Sequence, residues 1–221
     1  MENVDFGNLK PYLITEADAT DVLNFIFADF LLNEPHSAAI ELESKDATPI
    51  FEGFIKAAIK SKISYALRNQ NMEVVAVRLS YIVHRPTPEK PAEDVFDCSK
   101  LTPKSKIIVD LLDKLEKKIW TSVPKNINKL LYLAVISVHQ NYRRRGLAYK
   151  LMHYKVDDAI KLGCQGWITE ATAYNSQKMF DKMGFQLLYE LKDAEYLDEK
   201  GKCIFNCSDQ TNSSKLLYLP L

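Results

Sequence analysis

Residues 129–138 read KLLYLAVISV, an apolar, β-branched run with little polar alternation. Such a run predicts a central strand covered on both faces. The character then changes at once: SVHQNYRRRGLAYKLM sets three arginines directly before a glycine. Beyond Gly146, Leu147, Leu151, Tyr154 and Ala159 recur at helical spacing until Gly163, where a helix stop belongs. The pattern is strand, basic turn, helix.

Upstream, TEADATDVLNFIFADFLLNEP opens with Thr15 and Asp18 in capping-box spacing and repeats apolar residues at helical intervals up to Pro35, which predicts one amphipathic helix. TPIFEGFIKAAIKSK predicts a second helix with Pro49 in its first turn. ISYAL and EVVAVRLSYIV, parted by RNQNM, predict an antiparallel hairpin. HRPTPEKPAEDVFDCSKLTP reads as an exposed loop before the helix KSKIIVDLLDKLEKKIW. After Gly163 come a strand GWITEAT, a short helix NSQKMFDKMGF, and strands FQLLYEL and KLLYLPL. With no internal repeat, low-complexity tract or linker, the expectation is one α/β domain over residues 1–221.

Composition narrows the partners. The 221 residues are 47% hydrophobic and 26% charged, which is ordinary for a folded domain. Lys plus Arg equals Asp plus Glu at 29 each, whereas a nucleic-acid binder usually carries a basic excess, so no nucleic-acid partner is expected for the arginines. Cys98, Cys164, Cys203 and Cys207 form no CxxC pair, which argues against a zinc site or disulfide framework, and no metal is expected. MENVDFGNLKPYL lacks the basic start and apolar run of a signal peptide, and no stretch approaches membrane-spanning length. The expectation is a cytoplasmic protein with reduced thiols, without membrane partners, as a monomer or weak homodimer.

At the start of a helix the first backbone N–H groups lack intrahelical partners and the macrodipole is positive, so the arginine turn attracts anions such as a pyrophosphate. Gly146 permits close backbone approach, and Ala148 nearly so. The alternative is a solvated basic turn. Arg143, Gly146 and Ala148 match the Arg/Gln-x-x-Gly-x-Gly/Ala signature of the GNAT acetyltransferases, and NSQKMFDKMGF resembles the helix that closes their acetyl-CoA site. FADFLLNEP and the HRPTP loop resemble, more narrowly, the arylalkylamine N-acetyltransferases. The resemblance implies the GNAT fold: a mixed, mostly antiparallel sheet flanked by helices, whose two central parallel strands splay apart to admit acetyl-CoA. It also implies that backbone groups of Ile136 and Val138 pair with the pantetheine arm, and that Arg143, Arg144, Arg145, Gly146, Leu147 and Ala148 hold the pyrophosphate.

Acetyl transfer to an alkylamine needs the neutral amine, and loss of the proton costs about 4 to 5 kcal/mol at neutral pH from a reference pKa near 10.4. Glu34 in LLNEP resembles the proposed base of the amine-acetylating members, with burial at a helix end expected to raise its pKa toward neutrality. Its alternative is an exposed helix-closing glutamate. His139 is the rival base; His36 and His84 are weaker candidates beside prolines. The tyrosine that protonates the leaving thiolate in many GNAT enzymes is replaced by Phe180. Thr172 and Ser176 match the hydroxyls of the arylalkylamine-like members, with Tyr174 between them, unless they merely cap the helix. A thiol of reference pKa about 8.5 also leaves fairly without help. The Val138 N–H is expected to polarise the carbonyl, and Phe30 and Tyr81 suit an arylalkyl ring. The implied activity is acetyl-CoA-dependent N-acetylation of a small arylalkylamine by direct attack in a ternary complex. Polyamine or protein amines, and a non-catalytic acyl-CoA-binding homologue, are the alternatives.

Overall fold

The computed structural model describes residues 4–221; the first three residues of the expected 1–221 domain lie outside them. Seven strands form one sheet in the order β1-β2-β3-β4-β5-β7-β6. They are β1 (Lys10–Leu13), β2 (Tyr65–Arg68), β3 (Val74–His84), β4 (Lys129–Val138), β5 (Gly166–Ala171), β6 (Gln186–Lys192) and β7 (Ser213–Pro220). Every neighbouring pair is antiparallel except β4 with β5. The helices are α1 (Ala19–Phe25), α2 (Leu31–Asn33), α3 (Pro35–Ala39), α4 (Ser44–Ser61), α5 (Pro103–Glu116), α6 (Ile119–Ser122), α7 (Leu147–His153), α8 (Val156–Lys161) and α9 (Tyr174–Lys182). Among the described residues no helix is long and apolar enough to cross a membrane.

The apolar run at 129–138 is the central strand, and its side chains explain the layers. Leu130 and Tyr132 join a core with Val22 of α1, Ile50 and Phe54 of α4 and Leu111 of α5. Leu131 and Leu133, one residue out of phase, join Met152 of α7, Ala159 of α8 and Phe180 of α9 on the opposite face. Leu147 and Leu151 of α7 pack on Leu67 and Ala76.

The parallel pairing of β4 with β5 runs only from Leu131–Trp167 to Leu133–Thr169. β5 continues beside β7 to Ala171, while β4 stays with β3 to Val138 through a register shift opposite Leu79 and Ser80. Each strand keeps its outer partner, so the two central strands part and open a V beyond Leu133. This is the splayed sheet that the resemblance implies.

Four local expectations need correction. The stretch before Pro35 is not one regular helix: a 3-10 turn (Glu16–Asp18) leads into α1, then a π segment (Ile26–Phe30), then α2. The widened π turn aims Asp29 at β4, and Pro35 forces Glu34 out of the helix to an extended ψ of 119°. Helix α4 starts four residues early, which puts Pro49 inside it; the carbonyl thereby left free is that of exposed Lys45, within reach of water. The helix after Gly146 breaks at Tyr154 and Lys155, where Lys155 is left-handed, because buried Arg78 takes the carbonyls at the end of α7. Finally, β1 pairs with β2 at the sheet edge in a stretch without a strand pattern.

Candidate active site

Glu34 is the turn residue between α2 and α3. Its carboxylate accepts the backbone N–H of Ser37 at 2.6 Å and of His36 at 3.3 Å, capping α3. Across the V, the Thr172 hydroxyl donates to Glu34 Oε1 at 2.8 Å. Glu34 is 7% exposed, so the reading as an exposed helix-closing residue does not hold. Burial by itself would raise its pKa, but the hydrogen bonds and charge from His36 and the Ser37 donors outweigh it and hold the carboxyl below the usual range. The expected rise toward neutrality is therefore corrected: burial comes with donors. Glu34 is a carboxylate at neutral pH.

Its neighbour His36 is 1% exposed. Nδ1 faces the Thr172 carbonyl oxygen at 2.9 Å and Nε2 faces Asp193 Oδ1 at 2.9 Å. Both nitrogens meet acceptors, so both carry protons and the ring is an imidazolium. Burial would lower its pKa, but Asp193 and Glu34, the latter 3.7 Å from Nδ1, push it up to about 9. His36, Asp193 and Cys207 bring potential metal-ligand atoms within 4.8 Å of one another. The Nε2 proton bound for Asp193 occupies the lone pair that a metal would need.

The buried imidazolium makes stability pH-dependent. A histidine raised from an ordinary 6.5 to about 9 stabilises fully below pH 6.5, and the contribution disappears as pH rises through 9. That contribution is about 3 kcal/mol. Thermal unfolding between pH 6.5 and 9.5 is expected to show Tm falling with pH in the wild type and much less in His36→Gln; parallel slopes would refute a folded-state imidazolium.

Glu34 and Thr172 line a cavity together with Phe30, Phe51, Phe54, Tyr132 and Glu170. Phe30 meets Phe51 edge to face at 5.8 Å. Tyr81 sits behind the wall, stacked on Tyr132 at 4.7 Å, and is not among the lining residues. His139 lies elsewhere, its Nδ1 accepting Asn141 N–H in the turn after β4; of the base candidates, Glu34 and the weaker candidate His36 line the cavity, and His139 and His84 do not.

Helix α9 is not capped by either predicted hydroxyl. Thr211 Oγ1 accepts the Tyr174 N–H at 2.9 Å, which leaves Thr172 to Glu34 and Ser176 in the first turn of α9 without a recorded side-chain partner. Phe180 is 1% exposed and packs against Phe185 in the core.

On β4, the His139 N–H donates to Val75 O of the β3 side. Backbone groups alternate along a strand, so the N–H groups of Val138 and Ile136 turn away from β3, into the V. The Val138 carbonyl is already taken by Arg143 Nε at 3.0 Å. The Arg143 guanidinium also donates to both oxygens of Asp29, at 3.0 and 3.1 Å, and the Ser137 hydroxyl donates to Asp29 at 3.2 Å. Arg145 donates to Asn141 O and lies over the Tyr142 ring. The three arginines thus differ: Arg143 braces the turn, Arg145 folds onto it, and exposed Arg144 has a left-handed φ of 63° and no recorded hydrogen bond. Gly146 has φ 71°, and a Cβ there would meet nothing within 4 Å, so the backbone faces open space before α7. An open hollow lined by Phe6, Asn69, Tyr142, Arg145, Leu147 and Lys150 adjoins it.

Strand β4 connects these features: its Leu133, Ala134 and Val135 line the cavity that holds Glu34 and Thr172, and its far end at Val138 leads into the turn before α7. Sequence reasoning did not find Asp29, Asp193 or Glu170. Each acquires its neighbours from chain positions far away, and no local spacing marks them.

The sequence model of the Acetyltransferase (GNAT) family matches residues 118–185. Among solved structures, arylalkylamine N-acetyltransferase 2 from Aedes aegypti superposes with a TM-score of 0.81 at 22% identity, over 97% of this chain and 99% of that one. A Drosophila melanogaster polyamine N-acetyltransferase that forms N-acetylagmatine gives 0.79 at 17% identity, over 96% and 100%. The C-terminal condensation domain of Ebony, in complex with beta-alanyl-dopamine, gives 0.75 at 14% identity, over 96% and 99%. At these identities the likeness establishes the fold.

Proposed function

We propose that this chain, a GNAT acetyltransferase by the family match at residues 118–185 and by its fold, transfers the acetyl group of acetyl-CoA to the primary amine of a small molecule by direct attack in a ternary complex. The observation that carries the reading is Glu34: a buried carboxylate on the wall of the aromatic cavity, tied through Thr172 to the edge of the V. The residues fit coenzyme A. The V leaves the N–H groups of Ile136 and Val138 without β5 partners, and the turn at Gly146 leaves room for a phosphate against backbone N–H groups. Arg145 and Lys150 in the adjoining hollow suit its more distal phosphate. When bound, acetyl-CoA supplies a thioester carbonyl and a thiol leaving group.

The chain's own groups do the rest. Carboxylate Glu34 attracts the substrate ammonium, which must first lose one proton to water, since only the neutral nitrogen has a lone pair with which to attack. Held below the usual carboxylate range, Glu34 is a weak base against a free alkylammonium; C–N bond formation acidifies the nitrogen, and Glu34 then takes up its second proton, directly or through water. The Thr172 hydroxyl and His36 orient Glu34. The Val138 N–H polarises the carbonyl, and Ser176, which makes no side-chain hydrogen bond among the described residues, is the candidate to donate a proton to the leaving thiolate. Phe30, Phe51 and Phe54 suit an apolar acceptor body, the property shared by arylalkylamines and the methylene chains of polyamines.

The test is thiol release from acetyl-CoA with phenethylamine, tyramine, putrescine, agmatine and a lysine peptide. Turnover of a small amine well above that of the peptide is the expected result. Stabilisation by coenzyme A without turnover of any amine would instead identify a binding homologue.

A further inference from the structure

The cavity has a second acidic end that acetyl transfer at Glu34 does not use. Glu170 lines it from β5, as the first residue past the last parallel pair, Leu133–Thr169. Its Oε2 accepts the Tyr132 hydroxyl at 2.7 Å, while Oε1 is buried and has no hydrogen-bond partner. Glu116, the half-buried last residue of α5, lies close enough to act on Glu170 and on both stacked tyrosines, Tyr81 and Tyr132. Among the described residues no Lys, Arg or His nitrogen forms a salt bridge with either carboxyl.

A buried carboxyl with an unpartnered oxygen and a second acid beside it costs stability unless something pairs with it. Hydrophobic lining alone would be cheaper. Burial, followed by the charge of Glu116, pushes the Glu170 pKa well above the usual range; a cation beside it would favour the carboxylate. Tyr132, Phe51 and Phe54 line the same cavity, and aromatic rings favour cations and cover methylenes.

We propose that Glu170, backed by Glu116, is a second cation subsite, so that the acceptor is a primary amine bearing another positively charged group, an amine or a guanidine, a few methylenes away. Glu170 and Thr172 are two residues apart along the chain, and Thr172 holds Glu34, so one cavity presents both acids to a single acceptor. The inference rests on the transferase reading for the identity of the cavity, and it separates two acceptor classes that the aromatic wall accepts alike.

The experiment has a turnover arm and a binding arm, each with wild type, Glu170→Gln and Glu116→Gln. Thiol release is measured for putrescine and agmatine against phenethylamine and tyramine, and calorimetry records agmatine and phenethylamine binding to the coenzyme A complex. In the wild type the dications are expected to lead in kcat/KM and affinity. Glu170→Gln should weaken the dications at least about tenfold more than phenethylamine, through KM more than kcat. Glu116→Gln should act in the same direction more weakly. Equal effects on both classes would overturn the subsite, as would failure of agmatine to bind. So would a tyramine preference over phenethylamine that Glu170→Gln erases, since Glu170 would then serve a ring hydroxyl. If agmatine binds in a Glu170-dependent way but no amine is turned over, the subsite stands and the transferase reading falls. The wild-type comparison decides the matter even if a variant misfolds.

Discussion

Glu34→Gln is expected to lower kcat/KM for the accepted amine by about 10²- to 10⁴-fold at pH 7, the range that a positioned general base contributes. The substitution keeps one oxygen, enough for the His36 N–H and Thr172 hydroxyl that share Oε1, gives up the Ser37 N–H on the other oxygen and removes the charge, so coenzyme A binding should persist. Because Glu34 is held below the usual carboxylate range, the wild-type rate should not lose the base until the pH is well into the acid region. The variant should recover in part as pH approaches the amine's own pKa, near 10, where the neutral amine forms unaided. Thiol release against pH checks both limbs. A loss below fivefold in a variant that still binds coenzyme A would remove Glu34 from the reaction. Since Glu34 also helps hold the His36 proton, the melting temperature of the variant should be recorded alongside.

The largest structural effect is expected at Arg78. This side chain is fully buried on β3 and has no carboxylate partner among the described residues. Its guanidinium instead donates to the carbonyls of Leu151, Met152 and Tyr154 at the end of α7, at 2.5, 3.5 and 2.8 Å, and to that of Ile63 at 3.1 Å. The rings of Tyr65 and Trp167 flank it at 5.2 and 5.4 Å. Burial, partly opposed by Tyr65 and Tyr154, lowers its pKa to about 10, which still leaves it charged at neutral pH. The cation sits where the macrodipole of α7 is negative. Arg78→Met fills part of the volume but strands several buried carbonyls, at a cost of about 3 to 5 kcal/mol. For a chain of this size that is a fall in Tm of roughly 10 °C. Lysine, without the planar fork, should rescue little. Because α7 begins at the turn proposed to hold coenzyme A, the variant should also raise KM for acetyl-CoA. A Tm change of less than about 2 °C would show that the helix end finds other donors.

Arg78 shows why part of this structure could not be read from the chain. In EVVAVRLSYIV it looks like the polar position of a half-exposed strand, yet it is among the largest fully buried side chains. Its partners come from a helix some seventy residues further on, and they also split the predicted helix at Tyr154. His36 is similar: beside Pro35 it suggests a loop, whereas Asp193 and Thr172 bury it as a cation. The readings that held were those with a local cause. The apolar run of β4 matches its observed ten residues, the hairpin of β2 and β3 forms as expected, and Pro35 breaks the helix at Glu34.

The sequence by itself determined the order of the strands from β2 onward and of the main helices between them, the central strand leading into an arginine–glycine turn, and the glutamate before proline, because periodicity and the dihedral limits of Gly and Pro act within a few residues. Only the tertiary structure decided that Arg143 braces Asp29 rather than standing free, that Glu34 is lowered rather than raised, and that Glu170 faces the cavity with an unpaired oxygen. Charge and hydrogen-bond satisfaction depend on what the fold brings within a few ångströms, and those neighbours lie a hundred or more residues away along the chain for Asp29 and Glu34.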